Sequence, residues 1–158
     1  METQFNKSLL IVGHVPSINT RAMRDRVESG ACSPEIEGVE VLALSPFDAS
    51  AEHVIAADGL ILGTTENLGY MSGAMKDFFD RTYYPCLEEC QGKPFATYIR
   101  AGLDGTGTRR AIESITGGLC WRPVQEPLLC RGEWDEQFLE SCHDLGMAMA
   151  AGLESGVF

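Results

Sequence analysis

The sequence predicts an α/β fold in which a parallel sheet is covered by helices on both faces. Short apolar runs, such as Ser8–Gly13 and Val39–Leu44, alternate with stretches whose apolar residues recur at helical spacing. The apolar runs contain few polar residues, as expected for strands that are buried on both faces. The 158 residues contain no linker of biased composition, so the chain is expected to form a single domain over residues 1–158.

Five strands and five helices are predicted in alternation. The strands are expected at Ser8–Gly13, Val39–Leu44, Gly59–Gly63, Phe95–Ala101 and Pro123–Leu129. The helices are expected at Arg21–Ser29, Ala49–Ala57, Met71–Tyr84, Thr106–Thr116 and Glu136–Gly152. Gly30 and Pro85 are expected to end the first and third helices, because glycine favours helix C-termini and proline interrupts a helix. Strands that alternate with helices in this way are typical of parallel sheets.

The composition narrows the class of protein. A net charge of −11 argues against nucleic-acid binding, because phosphate binding is driven by Lys and Arg that release counterions. No apolar run reaches the roughly 18 residues of a membrane span, and the N-terminus lacks the pattern of a secretory signal. We therefore expect a cytoplasmic protein with neither a nucleic-acid nor a membrane partner. The acidic surface suits solubility and is compatible with a basic protein partner.

The six cysteines do not form a recognisable metal motif. Structural disulfides are disfavoured in a cytoplasmic protein, and no CxxC pair occurs. Most of the thiols are expected to be small core residues. Cys86 and Cys90 form the only close pair and leave open a metal site or a redox pair.

A polar loop follows the first predicted strand. Ser17, Asn19 and Thr20 are small polar residues at a helix start, where side-chain groups and free N–H groups favour a phosphate. Pro16 has no N–H, so the donors would come from Ser17 onward. The alternative is a plain helix cap, in which Asn19 or Thr20 only closes the helix. His14, at the strand exit, is a candidate ligand contact or a structural hydrogen-bonding group.

The most informative segment is Gly63–Thr82. It joins a buried apolar run to a helix through the loop Thr64-Thr65-Glu66-Asn67-Leu68-Gly69-Tyr70. Such a loop exposes backbone N–H groups at the carboxyl edge of a sheet, where open α/β sheets bind ligands. Four residues at helical spacing give the following helix an apolar face: Met71, Met75, Phe78 and Phe79.

This segment resembles the flavin-contacting loop and helix of flavodoxin-like FMN proteins, especially their quinone and FMN reductases. The matching positions are Gly63, Gly69, Met71, Ser72, Met75, Lys76, Phe78, Asp80 and Arg81. Thr65 stands where the family usually has proline, which predicts a less rigid loop. The Ser17-Ile18-Asn19-Thr20 segment resembles the family's phosphate loop. The resemblance implies a flavodoxin-like three-layer sandwich with five parallel strands in the order 2-1-3-4-5.

The resemblance also implies FMN contacts from three segments. They supply His14, Ser17, Ile18, Asn19 and Thr20; then Thr64, Thr65, Glu66, Asn67, Leu68, Gly69, Tyr70 and Met71; and finally Ala101, Gly102 and Gly105. No side chain is nominated as catalytic, because the flavin carries the chemistry. No metal ligand is nominated.

The third segment belongs to a loop with three glycines in six positions, Gly102–Gly107, which indicates close backbone approach or positive φ angles. In the resembled family, N–H groups of this loop bond the O2 and N1 atoms of the flavin ring. No aromatic residue lies between Arg100 and Arg110. One flavin face is therefore expected to be open, unless Trp121, Trp134 or another subunit covers it.

A rival motif overlaps this loop. Gly105-x-Gly107-x-x-x-Ala111 resembles a degraded dinucleotide fingerprint, with Arg109 and Arg110 as candidate ligands of an NADP phosphate. The motif follows the fourth strand, whereas a dinucleotide fingerprint normally opens the first strand–helix unit. The two arginines are equally compatible with a solvated helix surface.

An open flavin face favours an FMN oxidoreductase that uses NADH or NADPH as donor and reduces a quinone or similar small acceptor. The alternative is a flavodoxin-type one-electron carrier that serves a redox protein partner, and the small size and acidic charge favour it. A third hypothesis is a flavin-free regulatory or interaction domain. The resemblance further implies a homodimer or tetramer, because related reductases often build the substrate pocket between subunits.

Overall fold

The computed structural model describes residues 5–158 and shows a central sheet with helices on both faces. The strands are β1 (Lys7–Gly13), β2 (Val39–Leu44), β3 (Gly59–Asn67), β4 (Tyr70–Met71), β5 (Pro94–Ala101), β6 (Arg122–Pro123) and β7 (Leu128–Arg131). The helices are α1 (Ile18–Ala31), α2 (Ala51–Ala56), α3 (Gly73–Cys86), α4 (Thr106–Gly118) and α5 (Gln137–Ser155). Within residues 5–158, no helix is both long and apolar enough to cross a membrane.

The sheet confirms the α/β fold and corrects its strand count. The main path runs β2-β1-β3-β5-β6, and β7 also pairs with β5. All of these pairs are parallel, whereas β4 pairs antiparallel with β3. The predicted five strands in the order 2-1-3-4-5 are therefore wrong in detail. The fourth observed strand lies off the main path, and two short strands form the edge where one was expected.

The edge strand is interrupted because proline cannot continue a ladder. β5 pairs with β6 up to Phe95↔Pro123, and pairing resumes at Tyr98↔Leu128. Residues 96–97 of β5 thus face residues 124–127, a segment that ends in Pro127. Proline has no N–H to donate and is confined to edges and irregular positions of a sheet. The predicted single strand Pro123–Leu129 is split for this reason.

Several helix boundaries also differ from the prediction. Gly30 does not end the first helix, because α1 continues to Ala31. A Cβ atom on Gly30 would lie 1.9 Å from the His143 carbonyl oxygen, so this glycine allows α5 to approach α1 closely. α1 begins at Ile18 instead of Arg21, because Ser17 caps the helix. α3 ends at Cys86, so Pro85 lies inside its last turn and does not end it. The Leu87 N–H still bonds to the Tyr84 carbonyl oxygen at 3.3 Å. A proline so close to the end removes only one late hydrogen bond, which the helix tolerates.

The central strands are apolar at successive positions because each face of the sheet has its own core. Leu60 packs with Met75 and Phe78 on the side of α2, α3 and α4. Its neighbour Ile61 packs with Met23 on the side of α1 and α5. Successive side chains of a strand point to opposite faces, so a strand between two helical layers has no solvated face.

Candidate functional site

Three loops leave the sheet from adjacent positions at its carboxyl edge. β1, β3 and β5 are neighbours in the sheet. The segments that follow Gly13, Asn67 and Ala101 therefore lie side by side. These exits carry the three segments that the sequence predicts as flavin contacts. In open α/β sheets this edge is the usual ligand position.

The first segment is closed by a capping box at the start of α1. The Ser17 Oγ accepts the Thr20 N–H at 3.1 Å, and the Thr20 Oγ1 accepts the Ser17 N–H at 3.0 Å. The helix cap considered from the sequence is thus present, with Ser17 in place of Asn19 or Thr20 as the N-cap. The Ile18 and Asn19 N–H groups have no acceptor within the described chain. They lie at the positive end of the helix dipole, where an anion is stabilised.

His14 connects the exit of β1 to the middle of β3. Its N–H donates to the Gly63 carbonyl oxygen at 3.0 Å. Its ring nitrogen Nδ1 is buried and has no hydrogen-bond partner among the described residues. Burial lowers the pKa of His14 below its ordinary value. The imidazole is therefore neutral at pH 7 and has an unpaired nitrogen beside the candidate site.

The second segment is a hairpin instead of the predicted loop. β3 runs on to Asn67, beyond the predicted end at Gly63, and pairs with Tyr70 of β4. Between them, Leu68 and Gly69 have φ angles of +54° and +73°. Two consecutive positive φ values are typical of a two-residue type I′ turn, whose twist matches that of the strands.

Leu68 adopts this conformation at a cost. A left-handed backbone costs a residue with a Cβ atom roughly 1–2 kcal/mol, whereas glycine adopts it freely. The Leu68 side chain is nevertheless fully exposed, at 105% of its reference area. It gains no packing against any of residues 5–158 that would offset the strain. Strain of this kind clusters at ligand sites.

The polar residues of the hairpin are bonded within it. The Thr64 Oγ1 donates to the Thr65 carbonyl oxygen and accepts the Ser72 N–H, both at 3.0 Å. The Thr65 Oγ1 donates to the Asn67 Oδ1 at 3.0 Å. Thr64 and Met71 are each 2% exposed, and Met71 packs in the core. Their side chains therefore lie in the protein interior and position the hairpin.

Glu66 ties the hairpin to the third segment. Its Oε1 accepts the Leu103 N–H at 3.0 Å, and its Oε2 accepts the Gly105 N–H at 2.8 Å. The carboxylate therefore holds two backbone donors of the glycine loop. These are donors of the kind that the family resemblance assigns to the flavin ring.

Further contacts make the hairpin and the start of α4 one unit. The Thr108 Oγ1 donates to the Tyr70 carbonyl oxygen at 2.9 Å. A Cβ atom on Gly107 would lie 2.1 Å from the Gly69 carbonyl oxygen, so only glycine fits there. Leu103, Gly107 and Thr108 are not among the residues predicted as flavin contacts. The glycine spacing could have indicated Gly107, whereas nothing local to the sequence marks Leu103 or Thr108.

Exposed apolar side chains surround these loops. Ile18, Leu68 and Leu103 are 87%, 105% and 79% exposed, and Tyr70 is 41% exposed. One lies on each of the first and third segments, and two lie on the hairpin. Ligand sites combine such apolar surfaces with a few backbone donors. The arrangement therefore suits a flat, largely apolar ring with a charged group at one end.

Neither tryptophan belongs to the glycine loop. Trp121 is buried between Phe79 and Phe95, with ring centroids 6.3 and 6.0 Å away. Trp134 packs edge-on against Phe138 and lies against the Arg100 guanidinium. Both indoles are engaged in these contacts.

Arg109, one of the two candidate phosphate ligands of the rival dinucleotide motif, is engaged by carboxylates. The Arg109 Nε bonds to Glu113 at 2.7 Å, and its Nη2 lies 3.6 Å from Glu126. A guanidinium already shared by two carboxylates is poorly suited to an additional phosphate. Arg109 lines a cavity of about 570 Å³ between α4 and the interrupted edge, and none of the three loops lines that cavity.

The cysteines are mainly core residues, as expected. All six thiols are free, and four are buried: Cys86, Cys90, Cys130 and Cys142. Burial, together with the neighbouring Cys90, raises the pKa of Cys86 to about 12. Such a thiol stays protonated at neutral pH, which disfavours metal binding and nucleophilic chemistry. Among residues 5–158, no cluster of three His, Cys, Asp or Glu side chains is placed to hold a metal ion.

A comparison with known protein families shows to which family this chain belongs. The sequence model of a family described as NADPH-dependent FMN reductase matches residues 22–119. The chain belongs to this family. The match includes the hairpin and the glycine loop, and it begins just after the phosphate-loop candidate.

Several individual proteins that are similar to this chain are described as flavodoxins. A flavodoxin of Aquifex aeolicus is 35% identical over 107 residues, which is 68% of this chain and 57% of that protein. The matched region thus spans little more than half of that relative. The structure of an archaeal flavodoxin has a TM-score of 0.78 at 22% identity and covers 92% of this chain and 98% of its own. A WrbA-like flavodoxin of Agrobacterium tumefaciens has a TM-score of 0.74 at 21% identity, covering 95% and 99%. These structures establish a flavodoxin-like fold.

The residues present in this FMN reductase family member fit FMN. The free N–H groups of Ile18 and Asn19 suit its phosphate. The unpaired Nδ1 of His14 offers a polar contact at the same edge. The exposed side chains of Leu68 and Leu103 offer apolar surface for the ring.

Proposed function

We propose that residues 1–158 act as one flavin-binding domain that uses FMN to transfer electrons from NADH or NADPH to a quinone or similar small acceptor. The observation that carries this proposal is the convergence of a phosphate-competent helix start, a strained hairpin and a glycine loop at one sheet edge. When bound, FMN supplies the electron-transfer chemistry. The chain supplies binding, orientation and electrostatics.

Each segment has a distinct role in this proposal. The Ile18 and Asn19 N–H groups bind the phosphate, and the Ser17–Thr20 pair keeps that helix start rigid. Gly69 brings the hairpin backbone to the ring, and Leu68 supplies an apolar contact. Gly102 and the rest of the glycine loop border the pyrimidine end. No side chain is assigned a proton-transfer step.

The absence of an aromatic residue in the glycine loop favours an enzyme over a carrier. A ring face that is free of protein can stack with a nicotinamide, whereas a carrier needs only an exposed ring edge. The one-electron carrier is kept as a second candidate, because the net charge of −11 suits a basic redox partner. Reduction of the loaded protein by NADH or NADPH is the experiment that separates the two.

The phosphate assignment predicts that the protein binds FMN at least about 100-fold more tightly than riboflavin, because two charge-assisted bonds are lost with the phosphate. Ile18→Pro is the sharpest variant. Proline is well tolerated at the first helical position, and the extended backbone of Ser17 (φ −146°, ψ 168°) is compatible with a following proline. The variant therefore removes one N–H and leaves α1 intact.

Ile18→Pro is expected to weaken FMN binding about tenfold and to leave riboflavin binding unchanged. Ile18→Ala keeps the N–H and serves as the matched control. Fluorescence titration of the wild-type protein and both variants with FMN and with riboflavin measures the six dissociation constants. Equal affinity of the wild-type protein for FMN and riboflavin would remove the phosphate site from this loop.

A further inference from the structure

Glu66 holds backbone donors that a bound flavin also needs. Its two carboxylate oxygens accept the Leu103 and Gly105 N–H groups at 3.0 and 2.8 Å. Both bonds cross from the hairpin to the glycine loop. Glu66 has no Lys, Arg or His ion-pair partner among residues 5–158, so its negative charge is balanced only by backbone dipoles.

The two donors form an anion-binding concavity. Gly105 is the N-cap of α4, has a φ of +73°, and provides no side chain to cap the helix. A helix start and successive turn N–H groups attract negative charge. In this protein the Glu66 carboxylate is the anion that fills the concavity.

A reduced flavin would present a second anion to the same place. A flavin that had taken up two electrons and one proton there would carry a negative charge shared by N1 and O2. The proposed function places the pyrimidine end of the ring, which contains these atoms, against the glycine loop. Free N–H groups there would stabilise that charge.

We propose that Glu66 is a positioning residue that sets the preference of the site between oxidised and reduced FMN. By occupying the Leu103 and Gly105 donors and placing a carboxylate among them, it makes the loop a poor host for the anionic reduced ring. Oxidised FMN, whose ring is neutral, is affected less. The inference rests on the proposed function, because it requires FMN at this edge.

Glu66→Gln tests this directly, because glutamine has nearly the same shape and removes the charge. We expect the ratio of the dissociation constants of reduced and oxidised FMN to fall at least tenfold. For a two-electron couple, tenfold corresponds to an upward shift of about 30 mV in the reduction potential. Glu66→Ala, which frees both donors, should shift the ratio further. Anaerobic dye-equilibration titration measures the potential of each loaded protein.

Asp104→Asn is the matched control for charge alone. Asp104 lies in the same loop, but its carboxylate accepts the Thr106 N–H at 3.0 Å and leaves the Leu103 and Gly105 donors with Glu66. This bond lowers the pKa of Asp104, and the neighbouring Arg131 lowers it further, so the residue is charged at pH 7. We expect Asp104→Asn to shift the reduction potential of bound FMN less than Glu66→Gln does.

A different result is expected if Glu66 only links the hairpin to the glycine loop and has no effect on the flavin. Denaturant unfolding of the apoproteins should show that both Glu66 variants are less stable than wild type. This loss of stability is expected whether Glu66 has the proposed role or only a structural one. Only the proposed role also raises the potential. An unchanged or lower potential in Glu66→Gln, or a shift no larger than that of Asp104→Asn, would overturn the inference alone. Wild-type protein that cannot be loaded with FMN would overturn the proposed function and this inference with it.

Discussion

Gly69→Val is expected to lower FMN affinity at least about 100-fold and to leave the far-UV circular dichroism near that of the wild type. Gly69 has a φ of +73° at the second position of the hairpin turn. A β-branched residue there carries strain of at least roughly 1–2 kcal/mol and would move the turn. The Gly69 carbonyl also abuts Gly107, so a displaced turn would separate the hairpin from the glycine loop. Flavin titration of the purified variant measures the effect.

Gly92→Val is the matched control for this substitution. Gly92 has a similar φ of +78° and likewise has open space around a Cβ atom. It lies in the turn before β5, at the opposite edge of the sheet from the three loops. We expect it to lose stability by a similar amount and to retain FMN binding. Normal FMN affinity in Gly69→Val would exclude the hairpin turn from the flavin site.

The layered fold could be predicted because its signal is local. Val39–Leu44 was expected as a strand from its apolar run and is observed with the same bounds. The continuous apolarity of Gly59–Gly63 indicated burial on both faces, and Leu60 and Ile61 indeed enter different cores. Patterns of this kind need no knowledge of distant contacts.

The hairpin could not be predicted in the same way. Asparagine before glycine is the usual type I′ signal, and here the turn is Leu68-Gly69. The strand that leads into it is polar from Thr64 to Asn67, so hydrophobicity gave no indication. Tertiary contacts hold the turn in place. The Thr108 hydroxyl donates to the Tyr70 carbonyl oxygen, and Gly107 lies close to the Gly69 carbonyl oxygen.

The candidate site could be proposed from the sequence as a set of loops, but its hydrogen bonds could not. A sequence shows that Ser17 and Thr20 are polar, but not that they bond to each other at 2.9 Å and leave the backbone of Ile18 and Asn19 free. It likewise shows a glutamate in the second segment, but not that the Glu66 carboxylate accepts the Leu103 and Gly105 N–H groups of the third segment. Both outcomes depend on which groups the folded chain brings within hydrogen-bonding distance.

Reduction by NADH or NADPH is expected to bleach the bound flavin completely, with two electrons consumed per flavin and turnover following on addition of a small quinone. The proposed reason is a ring face that the glycine loop leaves uncovered. The glycine loop contains no aromatic residue, and its exposed apolar side chain is Leu103. Stacking of nicotinamide on flavin requires close and oriented approach, which a misplacement of about 1 Å can slow 100-fold. Anaerobic stopped-flow spectroscopy with each nucleotide measures the rate.

Leu103→Trp should close this face. The side chain is largely solvated, so an indole is accommodated without repacking and could cover the ring from the glycine loop. We expect reduction to slow at least about tenfold, while FMN affinity stays within a few-fold of wild type. Val157→Trp adds the same ring at an exposed position after α5, at the far edge of the sheet, and should leave the rate unchanged. If neither nucleotide reduces the wild-type protein and a reduced redox protein does, electrons enter at the ring edge, and the one-electron carrier replaces the reductase as the function of this chain.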